Sequence, residues 1–105
     1  MSTLPLHAAV DADEGSPVIA LHGDIDVANA SGIEELVGAA LDVGESTVVL
    51  DLSGVTFIDS SGLTALVVSQ RAATQAGAFL SLRSPSRRVL DLLLLTGLDA
   101  IFRLE

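Results

Sequence analysis

The segment at residues 47–52, Thr-Val-Val-Leu-Asp-Leu, is short, β-branched and almost continuously apolar. Strict alternation would mark a strand with one wet face; an unbroken run of this length fits a strand covered on both faces, with helices supplying the cover. It predicts the central strand of a layered α/β domain. The hydrophobic pattern on either side changes period several times, as alternating strands and helices require. Residues 4–10 read as a first strand and residues 11–17 (DADEGSP) as a turn. Residues 18–21 read as a second strand, closing at Gly23. A helix is expected over residues 31–41. It carries Ile33, Leu36, Val37, Ala40 and Leu41 at helical spacing, Glu34 and Glu35 in its first turn where the dipole favours acids, and Gly44 at its end. Beyond the central strand comes a short excursion through Gly54, Val55 and Phe57. A helix then runs from about Gly62 to Ala76, with Leu63, Leu66, Val67 and Ala73 inward and Gly77 as its stop. Residues 79–82 form the next strand. Ser84 as N-cap with Pro85 at the first helical position starts a last helix that Gly97 ends, and residues 101–104 close as a short strand.

A chain of 105 residues and 10.8 kDa is one domain spanning residues 1–105, without linkers or repeats. Half of it is hydrophobic, yet no apolar run approaches the ~20 residues that span a bilayer, so no membrane insertion is expected. Residues 1–10 lack a basic region and a long apolar stretch, and there is no cysteine, so neither a secretory signal nor a disulfide framework is expected; the default location is cytoplasmic. Fourteen acids face five arginines and no lysine, for a net charge of −9. Phosphate-backbone binding needs a basic stripe, and the nearest thing to one is the pair Arg87 and Arg88, so nucleic acid is not expected as a partner. The same charge disfavours anionic membrane surfaces. Three phenylalanines, with no tryptophan or tyrosine, leave base-stacking platforms poorly supplied.

The stretch with chemical content is residues 48–66, VVLDLSGVTFIDSSGLTAL. A buried strand delivers Asp59, Ser60, Ser61 and Gly62 to the entrance of a helix. The first amides there have no intrahelical partners and favour an anion. The plainest reading is that Asp59, Ser60 or Ser61 caps the helix. The functional reading is that Ser60 carries a phosphate.

This segment resembles the signature of the STAS domain family, and within it the anti-sigma-factor antagonists, which carry an Asp-Ser-Ser-Gly-Leu turn after a buried strand. Leu21, His22, Gly23, Asp24, Ile25 and Asp26 resemble the family's Gly-Glu-Leu-Asp corner, and the run from Ser84-Pro85 to Thr96-Gly97-Leu98 resembles its closing helix. The resemblance spans essentially the whole chain. It implies a single STAS-type domain in which a small mixed sheet of four or five strands packs against helices. It also implies that Ser60 is the phosphorylation site, and that Asp24, Asp26, Asp59, Ser61, Gly62 and Leu63 contact the partner. That partner would be an anti-sigma factor with serine kinase activity. Unphosphorylated protein would bind it and release a sigma factor; phosphorylation would end the interaction, and a serine phosphatase would restore it. The domain itself would have no catalytic activity and no cofactor, ATP and Mg²⁺ belonging to the kinase. A monomer or weak dimer is expected.

Other chemistries find little support. The chain has no Gly-x-Ser-x-Gly elbow and only two histidines, His7 and His22, neither near the serines in sequence. Without lysine there is no nucleotide-binding P-loop. The two histidines, without cysteine, read as surface residues rather than zinc ligands. Asp51 reads as a residue at the end of the central strand. Residues 90–95, LDLLLL, cannot all face one core on a helix, so some of these leucines are expected in solvent or against a neighbour. Two rivals to the switch carry over from the family and the helix entrance: an interaction subunit of a membrane lipid-transport ATPase without phosphorylation, and a nucleotide-binding sensor.

Overall fold

The computed structural model describes residues 7–13 and 15–105. Strands β1 (His7–Asp13) and β2 (Ser16–Ile25) form a hairpin, followed by α1 (Ser31–Asp42), β3 (Thr47–Ile58), α2 (Ser60–Gln75), β4 (Phe79–Arg83), α3 (Arg87–Thr96), a 3₁₀ turn (Leu98–Ile101) and β5 (Arg103–Leu104). The sheet is mixed and five-stranded in the order β1-β2-β3-β4-β5, with β1 antiparallel and the rest parallel. This is the α/β architecture anticipated from the sequence, and β3 is its centre.

One hydrophobic core serves the molecule. Ile19, Leu50 and Leu82 are register partners across β2, β3 and β4, and all three are fully buried. Ile33 and Val37 of α1, Leu66 and Ala73 of α2, and Val89 and Leu93 of α3 close over the same cluster. Val18, Val49 and Ser81 form a second buried row on alternate positions, so β3 is covered on both sides over Val48–Leu50, within the apolar run.

Several boundaries differ from expectation. Of the first strand expected at residues 4–10, residues 4–6 lie outside the described residues. The strand itself continues to Asp13, so the turn is much tighter than residues 11–17, with Gly15 in the left-handed region at φ 84°. Strand β3 does not end at Leu52. It runs on through Phe57 to Ile58 because β2 continues beside it, with register shifts between Ala20 and His22 and between Gly23 and Asp24. Gly54, expected in a short excursion beyond the strand, instead lies within β3, where the His22 ring rests on the sheet: a Cβ at Gly54 would stand 2.4 Å from His22 Nδ1. Asp51 is consequently mid-strand, level with Ala20 and Arg83, and caps no edge. Helix α3 begins two residues later than expected. Proline disfavours helical geometry in the residue before it, and Ser84 sits at φ 50° with its N–H donated to the Glu105 carbonyl; Ser86 is the N-cap, accepting from Val89 N at 3.5 Å. That register buries Val89 and Leu93 and leaves Leu94 and Leu95 in solvent, which answers the question of the leucine run.

On α2 the fully buried positions are Gly62, Ala65, Leu66, Ser69 and Ala73, while Leu63 and Val67 are half-buried. The stripe therefore shares Leu66 and Ala73 with the expected one, with Leu63 and Val67 packed at its edge against the core. Small residues let the helix approach the sheet, and the larger leucine and valine cover its flank. Helix α2 also starts at Ser60 rather than Gly62, and its C-terminal stop at Gly77 adopts φ 72° as anticipated.

Candidate functional site

Two loops meet at the carboxyl ends of β2 and β3, the edge at which open α/β sheets characteristically present their sites. Residues 26–30 connect β2 to α1, and Asp59 alone connects β3 to α2. The register pairs Asp24 with Phe57 and Ile25 with Ile58, and Asp59 N–H donates to the Ile25 carbonyl at 3.1 Å, which ties one loop to the other. Residues 24–26 and 59–63, far apart in sequence, thereby share one surface.

Helix α2 opens in a way that separates its two polar residues by role. Asp59 has extended backbone geometry (φ −101°, ψ −171°) and its Oδ1 accepts from Gly62 N at 3.1 Å, so the carboxylate is the N-cap. Ser60 is the first helical residue and is exposed. Among the described residues nothing bonds its Oγ; only its carbonyl is engaged, by Thr64 Oγ1 at 2.9 Å. The capping role therefore falls to Asp59, and the Ser60 hydroxyl is left for other chemistry. The amides of Ser60 and Ser61 belong to the first turn, which has no intrahelical acceptor to offer them.

Gly62 is the buried base of the turn. A Cβ there would lie 2.4 Å from Ile58 Cγ1 and 2.9 Å from Ile25 Cγ2, both on core residues, so only glycine allows α2 to start this close to the two strands. Ser61 and Leu63 are half-buried beside it.

The three predicted acids stand around this turn, and each has local work as well. Asp24 is exposed and its Oδ1 accepts from Thr56 Oγ1 of the neighbouring strand at 2.6 Å. Asp26 Oδ1 accepts from Ala28 N at 2.9 Å. In return Asn29 Oδ1 accepts from Asp26 N at 3.0 Å, and Asn29 Nδ2 donates to the Asp24 carbonyl at 2.9 Å. Asn29, almost wholly buried, is the residue that sequence reading missed. The available clue was an Asp followed three residues later by Asn: Asp26 makes the Asx turn to Ala28 N, and Asn29 accepts back from Asp26 N. Neither segment contains a lysine or arginine, so the acids of the turn have no basic partner within the two segments. The two histidines, by contrast, lie away from the serine turn: His7 and His22 are opposite each other in the β1–β2 ladder.

The family model for the STAS domain matches residues 7–105. The chain belongs to the STAS domain family. Among relatives of this STAS protein, the anti-sigma-F factor antagonist RsfB of Mycobacterium tuberculosis is 34% identical over 92 residues, covering 86% of this chain and 73% of that one. Among solved structures, an anti-sigma factor antagonist from Mycobacterium paratuberculosis superposes with a TM-score of 0.82 at 27% identity, over 94% of this chain and 84% of the other. The Bacillus cell fate determinant SpoIIAA, in its phosphorylated form, shares the fold with a TM-score of 0.72 at 20% identity, over 94% and 91% of the two chains. Within this STAS domain no described helix is long and apolar enough to cross a membrane.

Proposed function

We propose that this STAS domain is an anti-sigma factor antagonist switched by phosphorylation at Ser60. In its unphosphorylated form it binds an anti-sigma factor that is also a serine kinase, and so releases a sigma factor; a serine phosphatase reverses the modification. The domain contributes no catalysis, acts in the cytoplasm, and presents Asp24, Asp26, Asp59, Ser61 and Leu63 to the partner over the buried Gly62.

The observation that carries this reading is the division of roles at the head of α2. Asp59 caps the helix, so the exposed Ser60 hydroxyl has no structural task among the described residues. A phosphate there adds about −1.5 to −2 charge to a surface that already holds Asp24, Asp26 and Asp59. In the free protein, water and the first-turn amides accommodate that anion. Under a docked partner it has to be desolvated beside carboxylates, and a mispaired buried charge costs ~2–5 kcal/mol, roughly 30-fold to several thousand-fold in affinity.

The test is affinity capture from lysate of the native host with Ser60→Ala and Ser60→Asp baits side by side, read by mass spectrometry. Retention of an ATPase of the histidine-kinase type by the alanine bait, with its loss on the aspartate bait, is the expected result. Retention of a lipid-transport ATPase by both baits would reassign the domain as an interaction subunit with an unmodified serine.

A further inference from the structure

All five arginines of this acidic chain can be placed. Arg83 pairs with Glu105 at 3.1 Å and Arg103 lies 4.8 Å from the Phe79 ring centroid, both at the β4–β5 edge, while Arg71 is on α2. The remaining two, Arg87 and Arg88, open α3 side by side, and both are exposed. With Phe57, Asp91 and Leu92 they line a groove of about 560 Å³.

Folding alone does not account for this arrangement. Cations in the first turn of a helix oppose the macrodipole, and α3 has no acid in its first turn to relieve them. Arg87 reaches Asp91 at 3.3 Å, but both side chains are largely in water, where such i,i+4 pairs contribute little. Arg88 has no ion pair among the described residues. Beside them Phe57 is 40% exposed at the end of the central strand, where burial would have been the stable choice. The groove thus joins an apolar floor to two guanidinium groups, one of them shared with the Asp91 carboxylate in its lining, and to the positive end of a helix, in a molecule of net charge −9. It also adjoins the serine turn: Phe57 precedes Ser60 by three residues, a reach of roughly 11 Å at most.

We infer that this groove docks an acidic segment of the partner protein, in which carboxylates flank an apolar side chain. The apolar side chain sits on Phe57 and Leu92, and the carboxylates meet Arg87 and Arg88, whose planar forks bind carboxylates bidentately. Two guanidinium groups on so acidic a body are too few to hold a nucleic-acid backbone. The identity of the partner as the anti-sigma factor kinase rests on the function proposed above; the acidic chemistry of the segment rests on the groove alone. Because the groove's charge is opposite to that of the serine turn, it holds the partner by a contact that the phosphate does not directly oppose.

The experiment uses the full ¹⁵N-labelled chain titrated with acetyl-Glu-Leu-Glu-Glu-Leu-Glu-amide at low ionic strength, with the lysine analogue as the opposite-charge control. Long-range attraction to the whole molecule favours the lysine peptide, so binding of the acidic one reports the groove. Shift changes centred on Phe57, Arg87, Arg88 and Leu92 are expected. They should weaken at least tenfold in Arg88→Glu, fade as salt is raised to about 0.3 M, and remain in Arg71→Glu. Absence of shifts in the groove, equal binding by Arg88→Glu, or groove shifts that arise on concentrating the chain alone would overturn the inference, the last by assigning the groove to a second copy. A second arm adds Arg88→Glu to the Ser60→Ala bait and measures its affinity for the captured, purified ATPase, where a loss of about tenfold is expected. Undiminished affinity there rejects the groove and leaves the switch standing. Capture of no ATPase rejects the switch, while the peptide arm still judges the groove.

Discussion

Gly62→Ala places a methyl group 2.4 Å from Ile58 Cγ1 and 2.9 Å from both Ile25 Cγ2 and Ile58 Cδ1. Ile25 and Ile58 are fully buried at the ends of β2 and β3, so neither can swing into solvent, and the ordinary cost of such overpacking is about 1–3 kcal/mol. Alanine also restricts the unfolded chain and favours the helix, which returns about 0.4–1 kcal/mol. The net expectation is a loss of about 1–2 kcal/mol, or roughly 5–15 °C in Tm for a domain of this size. Gly38→Ala supplies the matched control. Gly38 lies within α1, and a Cβ there would meet nothing within 4 Å, so the same substitution should stabilise by about 0.4–1 kcal/mol. Urea unfolding of both variants, followed by circular dichroism, measures the difference in sign. Should Gly62→Ala prove as stable as wild type, the close approach of α2 to Ile25 and Ile58 would be refuted, and with it the account of how the serine turn is held.

Further outcomes follow from individual contacts. Ser60→Asp should weaken binding of the kinase partner at least 30-fold relative to Ser60→Ala in a calorimetric titration; equal affinities would exclude charge as the basis of the switch. Asp59→Ala removes the cap on Gly62 N and should cost about 0.5–2 kcal/mol in chemical denaturation, whereas Asp59→Asn, which keeps an acceptor, should cost far less. Asn29→Ala leaves Asp26 N and the Asp24 carbonyl without their partner and should cost about 1–3 kcal/mol, with faster amide exchange at Asp26 and Ala28 as its local mark. On α3, Leu93→Ala should cost about 2–5 kcal/mol and Leu95→Ala less than about 0.5 kcal/mol, which checks the helix register directly.

Local sequence was enough for much of this molecule because its signals are local. The β-branched run at Thr47–Leu52 could only be a doubly covered strand. Gly44, Gly77 and Gly97 ended helices through left-handed backbone that other residues resist, each with φ between 72° and 89°. The Asp-Ser-Ser-Gly turn marked a helix entrance, and the family resemblance singled out Ser60 within it. What sequence left open was which residue caps that helix, since Asp59, Ser60 and Ser61 are all competent. The choice followed from Asp59 being pinned in extended geometry by the bond from its N–H to Ile25.

That bond illustrates the general division. Propensity and periodicity act over a few residues, so they reveal elements and their stops. The extension of β3 to Ile58, the burial of Gly62 against Ile25, the bridge from Asn29 to the Asp24 carbonyl and the meeting of Phe57 with Arg87 and Arg88 all join residues through packing or loop closure. Sequence by itself determined the elements, the charge and the serine turn. Tertiary structure alone decided what surrounds that turn, because parallel pairing of β2 with β3 sets two loops distant in the chain side by side.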